Sequence, residues 1–189
     1  MWHVIQTFSG EEERTADIIR KVVSPGCMDE CFVPKRERMK KFRGRWHKVE
    51  EILFPGYVFA VTGKPEELYE NLRRIWKMTK VLGREERYFV PLNEEEENMV
   101  RKMGNREHRT EISRVEVLEG KRFRVVEGPL KNYMEYVVKV NLHKREVGVQ
   151  VEFMERTLDL YMGIEMVEAK DAEKQKKEGD AWEDWMPDQ

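Results

Sequence analysis

The sequence predicts an α+β chain, with an antiparallel sheet flanked by helices followed by a small β-barrel. Three observations predict it. Strand-like and helix-like segments alternate through the first hundred residues. A polar stretch without apolar period, from Gly104 to Ser113, then interrupts the pattern. After it come about fifty residues of short β segments separated by Gly, Pro, Asn and charged turns. The expected organisation is a first domain over 1–104, a linker over 105–113, a barrel over 114–167 and a charged tail over 168–189.

Trp2 to Thr7 is mostly apolar and reads as the first strand. Ser9 and Glu12 stand at capping-box spacing, and Ala16, Ile18, Ile19, Val22 and Val23 give the following helix one apolar side. Pro25-Gly26 stops that helix. Cys31 to Pro34 reads as a second strand. Val49 to Leu53 returns from a basic arm, and Tyr57 to Thr62 is a third strand of the sheet. Pro65 suits a first helical position, with Leu68, Leu72, Ile75 and Trp76 at helical spacing behind it. Val81-Leu82 reads as a short strand, and Asn93 with Glu96 repeats the capping pattern ahead of a helix to about Met103. The barrel strands are expected at Val115–Leu118, Arg122–Val126, Tyr136–Leu142, Val147–Phe153 and Thr157–Leu160.

The 189 residues carry 38% charged side chains yet a net charge of only −2, so the placement of charge matters more than its sum. Between Lys35 and Lys48 lie Lys35, Arg36, Arg38, Lys40, Lys41, Arg43, Arg45 and Lys48 against the single acid Glu37, a local charge of +7. Phe42 and Trp46 sit among these bases. A solvated hairpin is one reading. Contact with nucleic acid is the other, because like charges this dense repel unless an anion relieves them, and interleaved aromatics stack on exposed bases. The span 117–167 is neutral overall, with eight bases and eight acids. Even so, Lys139, His143, Lys144 and Arg145 cluster at one hairpin, and Lys121, Arg122, Arg124 and Lys131 lie near Gly128-Pro129. The tail carries eight acids against four bases and ends in Trp182-Glu183-Asp184-Trp185, which suggests a frayed helix or a disordered segment.

Catalysis and metal binding find little support. Cys27 and Cys31 are four apart with the four histidines scattered, so they read as plain structural residues rather than a zinc site or a disulfide. Ser/His/Asp and Cys/His arrangements, a Gly-rich phosphate loop and HExxH are all missing from the sequence. The expectation is a non-enzyme without cofactor. The N-terminus lacks a basic region followed by an apolar run, and no stretch approaches a membrane span, so the expected location is the cytoplasm.

Two segments resemble a known family. Trp2-His3-Val4-Ile5-Gln6-Thr7-Phe8-Ser9-Gly10-Glu11-Glu12 and Phe54-Pro55-Gly56-Tyr57-Val58-Phe59 are similar to the opening and to the signature turn of NusG-type N-terminal domains. Gly120 to Val126 with Gly128-Pro129-Leu130 resembles the KOW module, an SH3-like barrel, and Phe153-Met154-Glu155-Arg156-Thr157 stands where that module has its Phe-Gly-Arg-Thr turn. The resemblance covers about residues 1 to 167. It implies a monomeric factor for transcription elongation and antitermination whose first domain binds RNA polymerase, docking on the β′ clamp helices and meeting the β gate loop. By that resemblance the polymerase contacts fall on Trp2, Phe54 and Tyr57, with Tyr69, Glu70 and Asn71 on the opposite face. Two departures, Glu135 and Met154 where the KOW module has glycines, suggest a specialised paralogue of the LoaP type. Its second domain would recognise a structured RNA hairpin, and the arm would meet upstream or non-template DNA. The alternative is a general NusG factor coupling polymerase to Rho or the ribosome.

Overall fold

The computed structural model describes residues 1–79, 89–118, 122–167 and 184–185. They divide into two compact units, residues 1–34 with 52–101 and residues 35–51 with 102–189.

The first unit is built on a four-stranded antiparallel sheet in the order β2-β5-β1-β6, with β1 Trp2–Gln6, β2 Glu30–Phe32, β5 Tyr57–Val61 and β6 Phe89–Pro91. Helices α1 (Glu12–Val22) and α2 (Pro65–Thr79) cover one face. Their apolar stripes, Ala16 and Ile19 from α1 and Leu68, Leu72 and Ile75 from α2, meet Ile5, Val58 and Ala60 in a buried cluster. Alternation along the strands sends the remaining side chains to the other face. There Trp2, Phe32, Phe54 and Phe59 form an aromatic layer, with Trp2 edge-on to Phe32 at 5.0 Å and Phe54 edge-on to Phe59 at 5.5 Å. Helix α3 (Glu94–Met103) bears on that layer, with the Arg101 guanidinium 4.3 Å from the centre of the Trp2 ring.

The capping pattern holds at α3. The Glu96 amide donates to Asn93 Oδ1 at 2.8 Å, and the Asn93 amide donates to a Glu96 carboxylate oxygen at 3.0 Å. It does not hold at α1, which starts at Glu12 behind Glu11 with no side-chain cap. Glu12 has a different task, described below. The expected Val81-Leu82 strand lies outside the described residues. Among the described residues β6 forms that sheet edge; three residues ending in proline give too short a pattern to stand out.

The second unit contains the basic arm. Strands β3 (Lys35–Phe42) and β4 (Arg45–Ile52) are joined by the two-residue loop Arg43-Gly44, both with positive φ (48° and 80°). That geometry matches the twist of a tight hairpin, and glycine supplies half of it at no steric cost. β3 also pairs in parallel with β7 (Arg109–Thr110), which falls within the stretch expected to be a linker. The main sheet runs β10-β11-β12-β8-β9-β13. Its strands are β8 Ser113–Val117, β9 Phe123–Glu127, β10 Val137–Asn141, β11 Glu146–Phe153, β12 Arg156–Val167 and β13 Asp184–Trp185. β12, expected to end at Leu160, runs on to Val167. Its first eight residues pair with β11 and its last four pair in parallel with β8, so one long strand ties the sheet together. Val147, Val149, Val151 and Phe153 alternate into the core with Val115, Phe123, Val125 and Leu130. Asp184 and Trp185 pair with Arg124 and Phe123; the rest of the tail lies outside the described residues.

Candidate functional sites

Gly128-Pro129-Leu130 is fixed by close packing. A Cβ on Gly128 would come within 2.7 Å of Ser113 Cα, and the Leu130 amide donates to Ser113 Oγ at 3.0 Å. Glycine at φ 108° lets the chain pass that close and enter the 3-10 helix Pro129–Tyr136.

The signature turn in the first unit is braced from below. Glu12 is fully buried, and its carboxylate accepts the Gly56 amide at 2.6 Å and the Gly10 amide at 2.8 Å. The Thr7 amide donates to the Gly56 carbonyl at 2.9 Å, and the Thr7 and Thr15 hydroxyls are hydrogen-bonded at 2.7 Å. Gly56 takes φ 85°, so the turn depends on the residue type as well as on the carboxylate. A buried carboxylate is tolerated because two amides compensate its lost hydration. The sequence reading missed this role because Glu12 also fits a capping box.

The residues expected to touch polymerase lie mostly inside. Trp2 is 3% exposed and Phe54 0%, and Tyr57 is also buried. Asn71 is buried; its amide donates to the Glu67 carbonyl at 2.8 Å, and its Oδ1 accepts the Ser24 hydroxyl at 3.4 Å. Tyr69 is half-buried against Phe89, with Arg73 over its ring at 6.0 Å. Phe54 and Tyr57 therefore point inward from the turn, Phe54 onto Phe59, and its outer surface is Pro55 and Phe8, the latter 51% exposed.

The eight bases of the arm separate into two groups. Arg36 and Arg38 turn inward within the second unit. Arg36 pairs with Glu51 at 2.8 Å and Glu146 at 3.7 Å, and Arg38 pairs with the same two carboxylates at 3.2 and 3.4 Å. Burial alone would raise the Glu51 pKa, but these two guanidiniums outweigh it and hold the carboxyl below its ordinary value. Lys48 reaches the buried Glu37 carboxylate at 2.7 Å, and the Ile112 amide donates to the same group at 3.2 Å. Lys35 is half-buried and donates its amide to the His108 carbonyl at 3.0 Å. Gly163 on β12 meets the hairpin backbone so closely that a Cβ there would overlap the Glu37 carbonyl oxygen. These contacts are long-range and were not legible in a charge run.

Lys40, Lys41, Arg43 and Arg45 remain exposed around the tip. Two expected basic groups converge there. Arg145, at the turn between β10 and β11, places its guanidinium 4.0 Å from the centre of the Trp46 ring, while Lys41 Nζ lies 5.9 Å from the same centre. That turn brings exposed His143 and Lys144 beside the tip. Lys139 is exposed on β10 and Lys131 half-buried in the 3-10 helix. Arg122 is exposed, Arg124 pairs with Glu116 at 3.7 Å, and Lys121 lies outside the described residues.

Cys27 and Cys31 are both buried in the first unit's core. Burial pushes both thiols up, Cys31 to about 12, so they stay protonated packing groups.

A family model described as "Transcription termination factor nusG" matches residues 1–101, more than half of the chain, and sets it among transcription factors rather than enzymes. The chain belongs to the NusG family. "Transcription termination/antitermination protein NusG" of Buchnera aphidicola is 27% identical over 175 residues, covering 88% of this chain and 94% of the relative. The protein of the same name from Pasteurella multocida is 26% identical over 171 residues, covering 88% and 93%. A solved structure described as "Domain interaction in Thermotoga maritima NusG" covers 86% of this chain and 92% of its own at 20% identity and a TM-score of 0.47.

Proposed function

We propose that this chain is a cytoplasmic, monomeric elongation and antitermination factor. Its first unit holds RNA polymerase at the β′ clamp helices and β gate loop, and its second unit contacts nucleic acid. The family match over the first unit carries the reading. The braced turn supports it further. Glu12 holds Gly56 rigid while Phe54 points inward onto Phe59, so Pro55 and Phe8 form a preorganised apolar docking surface with little entropy left to lose. Clamp binding that favours the closed, elongating state opposes pausing by population shift.

The second unit supplies the nucleic-acid contacts through the arm tip and the Asn141–Arg145 turn. The target is a structured RNA hairpin or the upstream and non-template DNA beside it. Arg36 and Arg38 organise this surface from beneath. Glu135 and Met154, where the resemblance has glycines, support a specialised LoaP-type factor over a general one.

The test is a pull-down of purified RNA polymerase with the full chain, paired with single-round transcription on a template carrying a pause and a terminator. Capture of polymerase with more read-through is the expected result. Capture with unchanged pausing, together with Rho-dependent termination, would return the chain to the general NusG role. No capture would remove the proposal.

A further inference from the structure

We infer that the hairpin tip is a binding site for single-stranded nucleic acid, with Phe42 as the platform for one unpaired base. The inference rests on the nucleic-acid reading of the second unit and names the form of ligand that the tip accepts.

Two aromatics stand among the bases, and the structure gives them different tasks. Trp46 is half-buried, with Arg145 over its ring at 4.0 Å and Lys41 near it at 5.9 Å. Its π surface is taken up in joining the hairpin to the Asn141–Arg145 turn. Phe42 is 62% exposed. The Arg43 guanidinium lies 5.2 Å from its ring centre and leaves most of the ring to solvent. An exposed phenylalanine at the end of a charged hairpin costs hydrophobic free energy that no internal contact recovers. A nucleobase stacked on it recovers that cost and completes a base–Phe–Arg sandwich.

The surroundings set which form of nucleic acid fits. The tight Arg43-Gly44 turn fixes the tip before any ligand arrives. Lys40, Lys41, Arg43 and Arg45 surround Phe42, and Lys144 and His143 stand on the adjoining turn, so phosphates on either side of a stacked base find cations. The cleft beside the stem carries the opposite charge. It has a volume of about 520 Å³ and is lined by Glu37, Glu111, Glu127 and Glu165 against Lys48 and Arg114. A phosphate backbone is therefore drawn to the tip and repelled from that cleft. A paired duplex keeps its bases inside its own stack and cannot offer one to Phe42, whereas a single strand or an RNA loop can.

The experiment uses the full chain and fluorescence anisotropy with labelled U12, dT12 and a 12-base-pair duplex, at two salt concentrations. Phe42→Ala is expected to weaken single-strand binding by roughly tenfold, the loss of one base stack, and to leave duplex binding nearly unchanged. Phe42→Trp should restore single-strand binding, which a structural role of Phe42 would not explain. With four cations engaged, log K should fall against log[salt] with a slope of roughly −3 for single strands. Preference for U12 assigns the site to a transcript, and preference for dT12 to an exposed DNA strand. Equal loss on duplex and single strand, or no loss in Phe42→Ala, overturns the inference. Polymerase capture by the first unit is read separately. A chain that captures polymerase but ignores Phe42 refutes only the base-stacking site, while one that stacks bases but captures no polymerase refutes only the proposed function.

Discussion

Placing a methyl group at Gly163 should strain the packing of the hairpin on β12. The φ of Gly163 is not positive, so the only demand on the residue is space. A Cβ there would overlap the Glu37 carbonyl oxygen, lie 2.9 Å from Arg38 Cα and lie 3.1 Å from the Glu37 carbonyl carbon. All three atoms are backbone, so no rotamer change relieves the clash. Overpacking a tight site costs about 1–3 kcal/mol. The alternative is to lift the strand, which separates Glu146 from Arg36 and Arg38. Stranding a buried carboxylate costs about 3–5 kcal/mol, so the chain should accept the clash and stay close to the upper end of the first range. At about 4–8 °C per kcal/mol for a unit of this size, a cost of about 3 kcal/mol should lower the Tm of Gly163→Ala by about 12–24 °C. Calorimetry on the full chain measures this, and trypsin should cut faster at Lys40 and Lys41 in the variant. A melting temperature within about 2 °C of the parent, with unchanged cleavage, would refute the close packing of the hairpin on β12.

Three further outcomes follow from other contacts. Glu12→Ala leaves the Gly10 and Gly56 amides without their buried acceptor and should cost about 3 kcal/mol by urea unfolding; Glu12→Gln, keeping one acceptor, should cost about half as much. Met154 and Glu155 both take positive φ at the β11–β12 turn. Met154→Gly should remove about 1–2 kcal/mol of backbone strain, offset in part by glycine's unfolded entropy, and raise stability by about 0.5 kcal/mol with an unchanged m-value. The Glu51 carboxyl is held low in the folded chain, so its contribution is present above its unfolded pKa and lost as the pH falls through the folded one. Glu51→Gln should therefore lower Tm at pH 7 and flatten its decline on the acid side, and parallel Tm–pH curves would contradict this.

Local chemistry was largely legible in the sequence. Asn93 and Glu96 announced α3, and Pro65 with Leu68 and Leu72 announced α2, because capping and apolar spacing act within a few residues. The β11 alternation was legible for the same reason, whereas the arm was legible as a basic hairpin but not in its strands, of which only a return at Val49–Leu53 was expected against Lys35–Phe42 and Arg45–Ile52. Glu12 was misread because a capping carboxylate and one that braces a turn 44 residues away leave the same mark in sequence. The inward turn of Arg36 and Arg38 was hidden because their partner Glu146 lies more than a hundred residues along the chain. Trp2 and Phe54 illustrate a related ambiguity. Aromatics mark interfaces and cores alike, and only three-dimensional burial placed these two in the first unit's aromatic layer rather than on its surface.

The most direct test of the two-surface arrangement is site-specific photocrosslinking in a stalled elongation complex, with a photoreactive phenylalanine at position 8 or at position 42 of the full chain. The expected result is that position 8 crosslinks to polymerase protein at the β′ clamp and position 42 crosslinks to nucleic acid. Crosslinks from position 42 to polymerase alone, or from position 8 to neither, would contradict it.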